Sequence, residues 1–64
     1  MKLILDIDVD SPAFGSDEQS AKLEVDRILK DARAAVVIME WSVGSTIPLP
    51  DSSGESVALL YLKA

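Results

Sequence analysis

The sequence predicts an α+β fold of β-α-β-β order, with one long helix packed on a three-stranded antiparallel sheet. Three observations predict it: period-two alternation at the start, a long helical stripe in the middle, and a proline-containing segment, a turn and an apolar run at the end. A chain of 64 residues is expected to form a single small domain, residues 1–64. It contains no cysteine and no histidine, so neither a disulfide nor a Cys/His zinc site is available to stabilise it.

Residues 1–10 are predicted to form the first strand. Apolar residues occupy its odd positions, Met1, Leu3, Leu5, Ile7 and Val9. One face of the strand is therefore expected to be buried and the other exposed to solvent. Pro12 and its polar neighbours end the strand, and Phe14 is expected to pack under the helix.

The middle of the chain is predicted to be a helix from about residue 17 to about residue 41. Steps of three and four connect the members of one apolar stripe, Ala21, Val25, Ile28, Leu29, Ala32, Ala35, Val36 and Met39. Ser16 or Asp17 can serve as the N-cap, and Gly44 is a natural stop. Residues 36–38 are also typical of a strand, but the stripe stays in phase through Met39 and favours a helix.

The end of the chain is predicted to be a hairpin. Residues 47–50 contain two prolines, which cannot donate to a ladder, so this segment is expected at a sheet edge. Residues 51–54 form a turn by composition, and residues 57–62 are apolar enough for the central strand. The outer sheet face then offers Ile4 together with Ala58, Leu60 and Leu62 or with the alternate residues of the last strand. If that face is bare, dimerisation or docking is expected there.

The charge is unevenly distributed along the chain. The net charge is −5, and residues 1–26 hold seven of the eleven acidic residues but only two of the six basic ones. This asymmetry favours a basic protein partner and argues against direct binding to nucleic acid or to an anionic membrane. No apolar stretch is long enough for a signal peptide or a membrane span, so a cytoplasmic protein is expected.

The segment Asp6-Ile7-Asp8-Val9-Asp10 permits three interpretations. A calcium loop of the EF-hand type requires glycine at its sixth position and glutamate at its twelfth, where this chain has Ser11 and Asp17. A phosphatase nucleophile of the haloacid-dehalogenase type requires a large doubly wound sheet, for which the chain is too short. The third interpretation is a row of negative charge that binds Lys or Arg of a partner. A merely solvated strand face remains an alternative.

Catalysis has no support in the sequence. Serines are present, but without histidine there is no triad, and no lysine is placed as a substitute base. The three glycines form no phosphate-binding loop. We therefore expect no enzyme activity, no catalytic residues, no cofactor and no metal.

Three large apolar residues are predicted near the side of the helix opposite its main stripe: Leu23, Val37 and Trp41. Trp41 permits two interpretations. Packing against the hairpin at the helix end is favoured, because large aromatic side chains are mostly buried. The alternative is a binding anchor, because tryptophan is enriched at interaction hot spots.

Several segments together resemble a group of very small phage and prophage proteins. They are Met1-Lys2, Leu5-Asp6-Ile7-Asp8-Val9-Asp10, Ala13-Phe14, Val25-Asp26-Arg27-Ile28-Leu29 and Leu49-Pro50-Asp51-Ser52-Ser53-Gly54. The hairpin turn of that group usually reads D-x-N-G-N, whereas residues 51–55 here read Asp-Ser-Ser-Gly-Glu. The resemblance covers most of the chain. It implies a phage origin and the β-α-β-β layout, and it supplies no catalytic residues.

The resemblance also implies a function, because small acidic phage proteins are often inhibitors of host machinery, anti-CRISPR proteins among them. CRISPR effectors carry basic channels and PAM-reading Arg or Lys residues. The residues expected to bind such a basic surface are Asp6, Asp8, Asp10, Asp17, Glu18 and Trp41. A monomer or weak homodimer in the host cytoplasm is expected. The alternative is a homo-oligomeric structural or accessory phage protein.

Overall fold

The computed structural model describes all residues of the chain, 1–64. In chain order it contains β1 (Lys2–Ile7), a short 3-10 turn (Pro12–Phe14), α1 (Glu18–Ile38), β2 (Thr46–Pro50) and β3 (Ser56–Lys63). The three strands form one antiparallel sheet in the order β1-β3-β2. The predicted α+β class and β-α-β-β order are confirmed, and the last strand lies in the centre as expected.

The two ends of α1 follow from local chemistry. Asp17 is the N-cap, with an extended backbone and a side chain that accepts a hydrogen bond from the Ser20 N–H at 2.7 Å. At the other end, Met39 has the backbone angles of a strand (ψ 145°), so the helix ends at Ile38 and the predicted end near residue 41 is wrong. Residues 36–38 are helical, as the apolar stripe predicts. Gly44 does not stop the helix; its φ of 96° serves the turn into β2.

The strand register separates the two faces of the sheet. Leu3, Leu5 and Ile7 lie opposite Leu62, Leu60 and Ala58 on the face toward α1. On the outer face, Ile4 lies opposite Tyr61 and Asp6 lies opposite Leu59. The alternate residues of the last strand therefore join Ile4, and Ala58, Leu60 and Leu62 are buried instead.

The core lies between α1, β2, β3 and the 3-10 turn. Its buried members are Phe14, Ile28, Ala32, Ala35, Leu49, Ala58 and Leu60. Phe14 is only 1% exposed, which confirms its predicted place under the helix. Because α1 packs mainly on the 3-10 turn, β2 and β3, it covers β1 incompletely, and Leu3 is 44% exposed although it lies on the helix-facing side.

Candidate acidic interaction site

The three aspartates predicted to form a row on the first strand do not share one strand. Because β1 ends at Ile7, only Asp6 lies within it, and Asp8 and Asp10 lie in the following loop. The Asp8 N–H still donates to the Val57 carbonyl at 2.8 Å. The Asp10 N–H donates to Oδ1 of Asp8 at 3.0 Å, a local turn that ends the extended conformation. The expected straight row of three carboxylates is thus replaced by a pair, Asp6 and Asp8, and a turn that carries Asp10.

Asp6 and Asp8 border a shallow depression beside β3. Its other lining residues are Ser56, Val57, Ala58 and Leu59, and its volume is about 380 Å³. That volume falls within the range of small-ligand pockets. The depression is wide open to solvent, however, so it cannot bury a small ligand in the way such pockets do. Its chemical character is that of an acidic rim on an exposed surface.

Asp17 and Glu18 lie at the N-terminus of α1, and both are exposed. The hydrogen bond from the Ser20 N–H lowers the pKa of Asp17 below its ordinary value. Asp17 therefore stabilises the start of α1 as its N-cap. Oε1 of Glu18 lies 2.7 Å from Nζ of Lys22 in an exposed i,i+4 ion pair, an arrangement that contributes little to stability.

The topology brings these acidic residues to one end of the molecule. β1 and β2 both run toward the end at which α1 begins, and β3 starts there. We define the acidic pole as the five exposed carboxylates at that end: Asp8, Asp10, Asp17, Glu18 and Glu55. Glu55 was not predicted as a site residue, because only the hairpin geometry places its turn beside the loop after β1. Asp6 lies next to this pole on the outer sheet face.

A buried carboxylate, Asp51, joins the two loops of the acidic pole. It is 3% exposed. Its Oδ2 accepts from Ser11 Oγ at 2.6 Å, and its Oδ1 accepts from the N–H and hydroxyl of Ser53 and from the Glu55 N–H at 2.6–3.0 Å. These bonds, the one from Ser11 foremost, lower the pKa of Asp51 to about 2. Its position at the head of an Asp-Ser-Ser-Gly turn was the one available sequence signal.

A second buried carboxylate, Glu24, fastens the hairpin turn to the helix. Its two oxygens accept from Arg27 Nε at 2.6 Å and from the Ser52 N–H at 2.9 Å. Arg27 also donates to Oδ2 of Asp31 at 3.0 Å and to the Pro50 carbonyl at 2.8 Å. The hydrogen bond from Arg27 lowers the pKa of Glu24. Glu24 and Asp51 are thus internal anchors, whereas the carboxylates of the acidic pole are exposed to solvent.

Trp41 lies away from the acidic pole. It follows α1, which is about 30 Å long at 1.5 Å per residue, and so lies at the opposite end. Trp41 is 59% exposed, so it is not buried at the helix end, as the favoured interpretation expected of a large aromatic side chain. Leu23 and Val37 are exposed, as predicted, and Ile38 and Val43 add further apolar surface near Trp41. The structure therefore does not bring Trp41 together with the predicted acidic residues.

The chemistry available at the acidic pole is electrostatic. No group of three or more acidic side chains is arranged to hold a metal ion, and no buried polar side-chain atom lacks a hydrogen-bond partner. Lys22, near the helix start, is already paired with Glu18. Arg27, which reaches the hairpin turn, is already paired with Glu24 and Asp31. No helix combines the length and apolar character that a bilayer crossing demands. The arrangement can present several negative charges, on well-anchored loops, to a cationic surface.

No protein-family model matches the chain, and no significant similarity was found to a curated protein or to a solved structure.

Proposed function

We propose that the protein is a non-enzymatic, phage-encoded inhibitor of the anti-CRISPR type, which binds a basic surface of a host defence nucleoprotein in place of nucleic acid. One observation carries this proposal: Asp8, Asp10, Asp17, Glu18 and Glu55 are all exposed at one end of the molecule, where Lys22 and Arg27 are already paired within the chain. Neighbouring carboxylates repel one another, so cations from a partner would relieve that repulsion. Such a function requires the host cytoplasm as its location.

The anchoring of the two loops supports this function. Asp51 bonds to Ser11 in one loop and to Ser53 and Glu55 in the other. Because the two loops that carry the carboxylates are anchored before binding, little backbone conformational entropy is lost when a partner engages them. An Arg or Lys cluster that normally binds phosphates is the matching surface, since guanidinium groups also bind carboxylates with short, charge-assisted hydrogen bonds.

The experiment is a competition assay against CRISPR effector ribonucleoproteins. Fluorescently labelled target DNA is bound to each effector of a panel, and its displacement by the protein is followed by anisotropy at low and at physiological salt. We expect displacement that weakens as salt rises, because exposed charge pairs are screened. A panel in which no effector loses its DNA would contradict the proposed target class.

A matched pair of variants locates the contact. Asp8→Asn with Asp10→Asn removes two charges from the acidic pole and retains side chains that can accept hydrogen bonds. Asp26→Asn with Glu40→Gln removes two exposed charges elsewhere. At up to about 1 kcal/mol per exposed charge pair, the first double variant should lose about tenfold in affinity, whereas the second should bind nearly as well as the wild type. Equal losses would show that net charge matters and the acidic pole does not.

A second candidate function is that of a homo-oligomeric structural or accessory phage protein. It is supported by the exposed apolar side chains at the end opposite the acidic pole, Val37, Ile38, Trp41 and Val43. Exposed apolar surface of this kind marks interaction sites. Light scattering would then show a stable oligomer at all salt concentrations, and Trp41→Ser would dissociate it. A Trp41→Ser variant with unchanged mass in solution would exclude this end as the interface.

A further inference from the structure

The two edges of the sheet differ in how they are protected against pairing. β2 carries Pro48 and Pro50, and its register with β3 is irregular between Leu49 and Pro50. Prolines and irregularities of this kind discourage a further strand. β1 has neither: its six residues, Lys2–Ile7, pair with β3 in an unbroken register. The edge of β1 is therefore the one on which a strand can be added.

The hydrogen bonds available at this edge follow from the ladder. The Asp8 N–H donates to the Val57 carbonyl, which shows that the even-numbered residues of this segment bond to β3. In an antiparallel ladder the alternate residues direct their backbone groups the other way. The N–H and C=O groups of Leu3, Leu5 and Ile7 thus point outward, where no strand of this chain pairs with them.

The surface beside this edge is apolar. α1 covers β1 incompletely, so Leu3 remains exposed on the helix-facing side. On the outer face, Ile4 lies in the middle of β1, between Lys2 and Asp6. A strand added here would cover Leu3 on the helix-facing side and Ile4 on the outer face, and it would also form backbone hydrogen bonds with β1.

We propose that the strand added to β1 is β1 of a second copy, antiparallel to the first, so that two molecules form one six-stranded sheet. The charges identify the occupant. When Ile4 lies opposite Ile4 of the second copy, Lys2 of each copy lies opposite Asp6 of the other. Opposite charges across a strand pair are stabilising and like charges are destabilising. Parallel pairing in register would instead place Lys2 beside Lys2 and Asp6 beside Asp6.

The register follows from the same pairing rule. Only the odd-numbered residues of β1 direct their backbone N–H and C=O groups outward. The possible registers between two β1 strands therefore differ from one another in steps of two residues. A shift of two toward the acidic pole would place Ile4 opposite Asp6, an apolar residue against a charge. The Ile4–Ile4 register avoids this mismatch and leaves Asp8, Asp10, Asp17, Glu18 and Glu55 unpaired. The dimer is therefore independent of the proposed inhibitory function, and either can fail without the other.

Charge reversal tests the interface with the whole chain, measured by analytical ultracentrifugation up to about 1 mM protein (the millimolar range of weak association). Lys2→Glu alone and Asp6→Lys alone should each weaken self-association at least about tenfold, because each dimer contains the altered pair twice. Lys2 and Asp6 are both exposed, so neither change disturbs the core. An equimolar mixture of the two single variants should form a heterodimer, since its unlike charges face one another again. The double variant should self-associate like the wild type.

The control is the same exchange on the exposed side of α1, Asp26→Lys with Lys30→Glu, which reverses an ion pair of 3.1 Å and should leave self-association unchanged. A wild-type chain that stays monomeric at the highest concentration would overturn the proposal. Self-association that is indifferent to the charge reversals would overturn it as well, and would assign the contact to another surface such as the Trp41 end.

Discussion

Ser11 and Asp51 are 40 residues apart in sequence, and the Ser11 hydroxyl donates a hydrogen bond of 2.6 Å to Oδ2 of Asp51. Ser11 belongs to the loop after β1, and Asp51 begins the turn between β2 and β3. The bond therefore joins the segments that carry Asp8 and Asp10 on one side and Glu55 on the other. Together with the strand pairing, this contact fixes how the two loops of the acidic pole lie against each other.

Removal of the Ser11 hydroxyl should weaken the fold measurably. Ser11→Ala removes two hydrogen bonds, the one donated to Asp51 and the one that the hydroxyl accepts from the Ala13 N–H at 3.2 Å as the N-cap of the 3-10 turn. It is expected to lower the free energy of unfolding by about 1–3 kcal/mol, the net value of two hydrogen bonds. Ser42→Ala, which removes an exposed serine–serine hydrogen bond, is the matched control and should stay within about 0.5 kcal/mol of the wild type. Urea unfolding provides the measurement. Equal effects of the two substitutions would argue against the Ser11–Asp51 contact.

Stability should depend on pH in the acid range through Asp51. Its pKa is lowered from 3.8 to about 2 in the folded protein, so the folded state favours the ionised form. The resulting stabilisation is fully present above the unfolded value and is lost as pH falls through the folded value. We expect the urea midpoint to fall between about pH 4 and about pH 2. Asp51→Asn should be less stable at neutral pH and should show a smaller fall in that window. An unchanged pH profile in this variant would assign the acid dependence to other carboxylates.

Phe14 should be among the most sensitive core positions. It is 1% exposed and belongs to the core cluster that includes Ile28 and Ala32 of α1. Phe14→Ala is expected to cost about 3–5 kcal/mol, through lost burial and the cavity left behind, a large part of the 5–15 kcal/mol typical of whole domains. Val37→Ala, at an exposed position of α1, should change stability by less than about 0.5 kcal/mol. Thermal unfolding of both variants tests the difference, and similar melting temperatures would contradict this view of the core.

Gly15 and Gly54 provide a test of close packing at a turn. Both have positive φ, 72° and 92°, so alanine is strained at either position. A Cβ at Gly15 would lie 2.7 Å from Cβ of Ser20, whereas nothing lies within 4 Å of one at Gly54. Gly54→Ala should therefore cost about 1 kcal/mol, the backbone term alone, and Gly15→Ala should cost clearly more. If Gly54→Ala proved the more damaging change in urea unfolding, the close approach of the 3-10 turn to the helix start would be wrong.

Much of the architecture was predictable because hydrophobic spacing is a local property. Alternation in residues 1–10 predicted a strand, which the structure has at Lys2–Ile7. Steps of three and four through Met39 predicted a helix, and residues 36–38 are helical although all three are β-branched. The two prolines of β2 predicted an edge strand, because proline has no backbone N–H group to donate to a neighbouring strand. The end of the helix was predicted three residues too late, since its stripe continues to Met39 after the backbone has left the helical conformation.

The candidate site was less predictable, because its parts meet only in three dimensions. Sequence alone identified the acidic segment, the capping role open to Asp17 and the asymmetry of charge, all of which depend on neighbouring residues. Tertiary structure decided that Asp8 and Asp10 leave the strand, that Asp51 is buried, that Trp41 is exposed and that α1 leaves the edge of β1 uncovered. The physical reason is that the burial and hydrogen bonding of a polar side chain depend on partners that are distant along the chain. The spacing of the apolar residues, by contrast, can be read within each strand or helix.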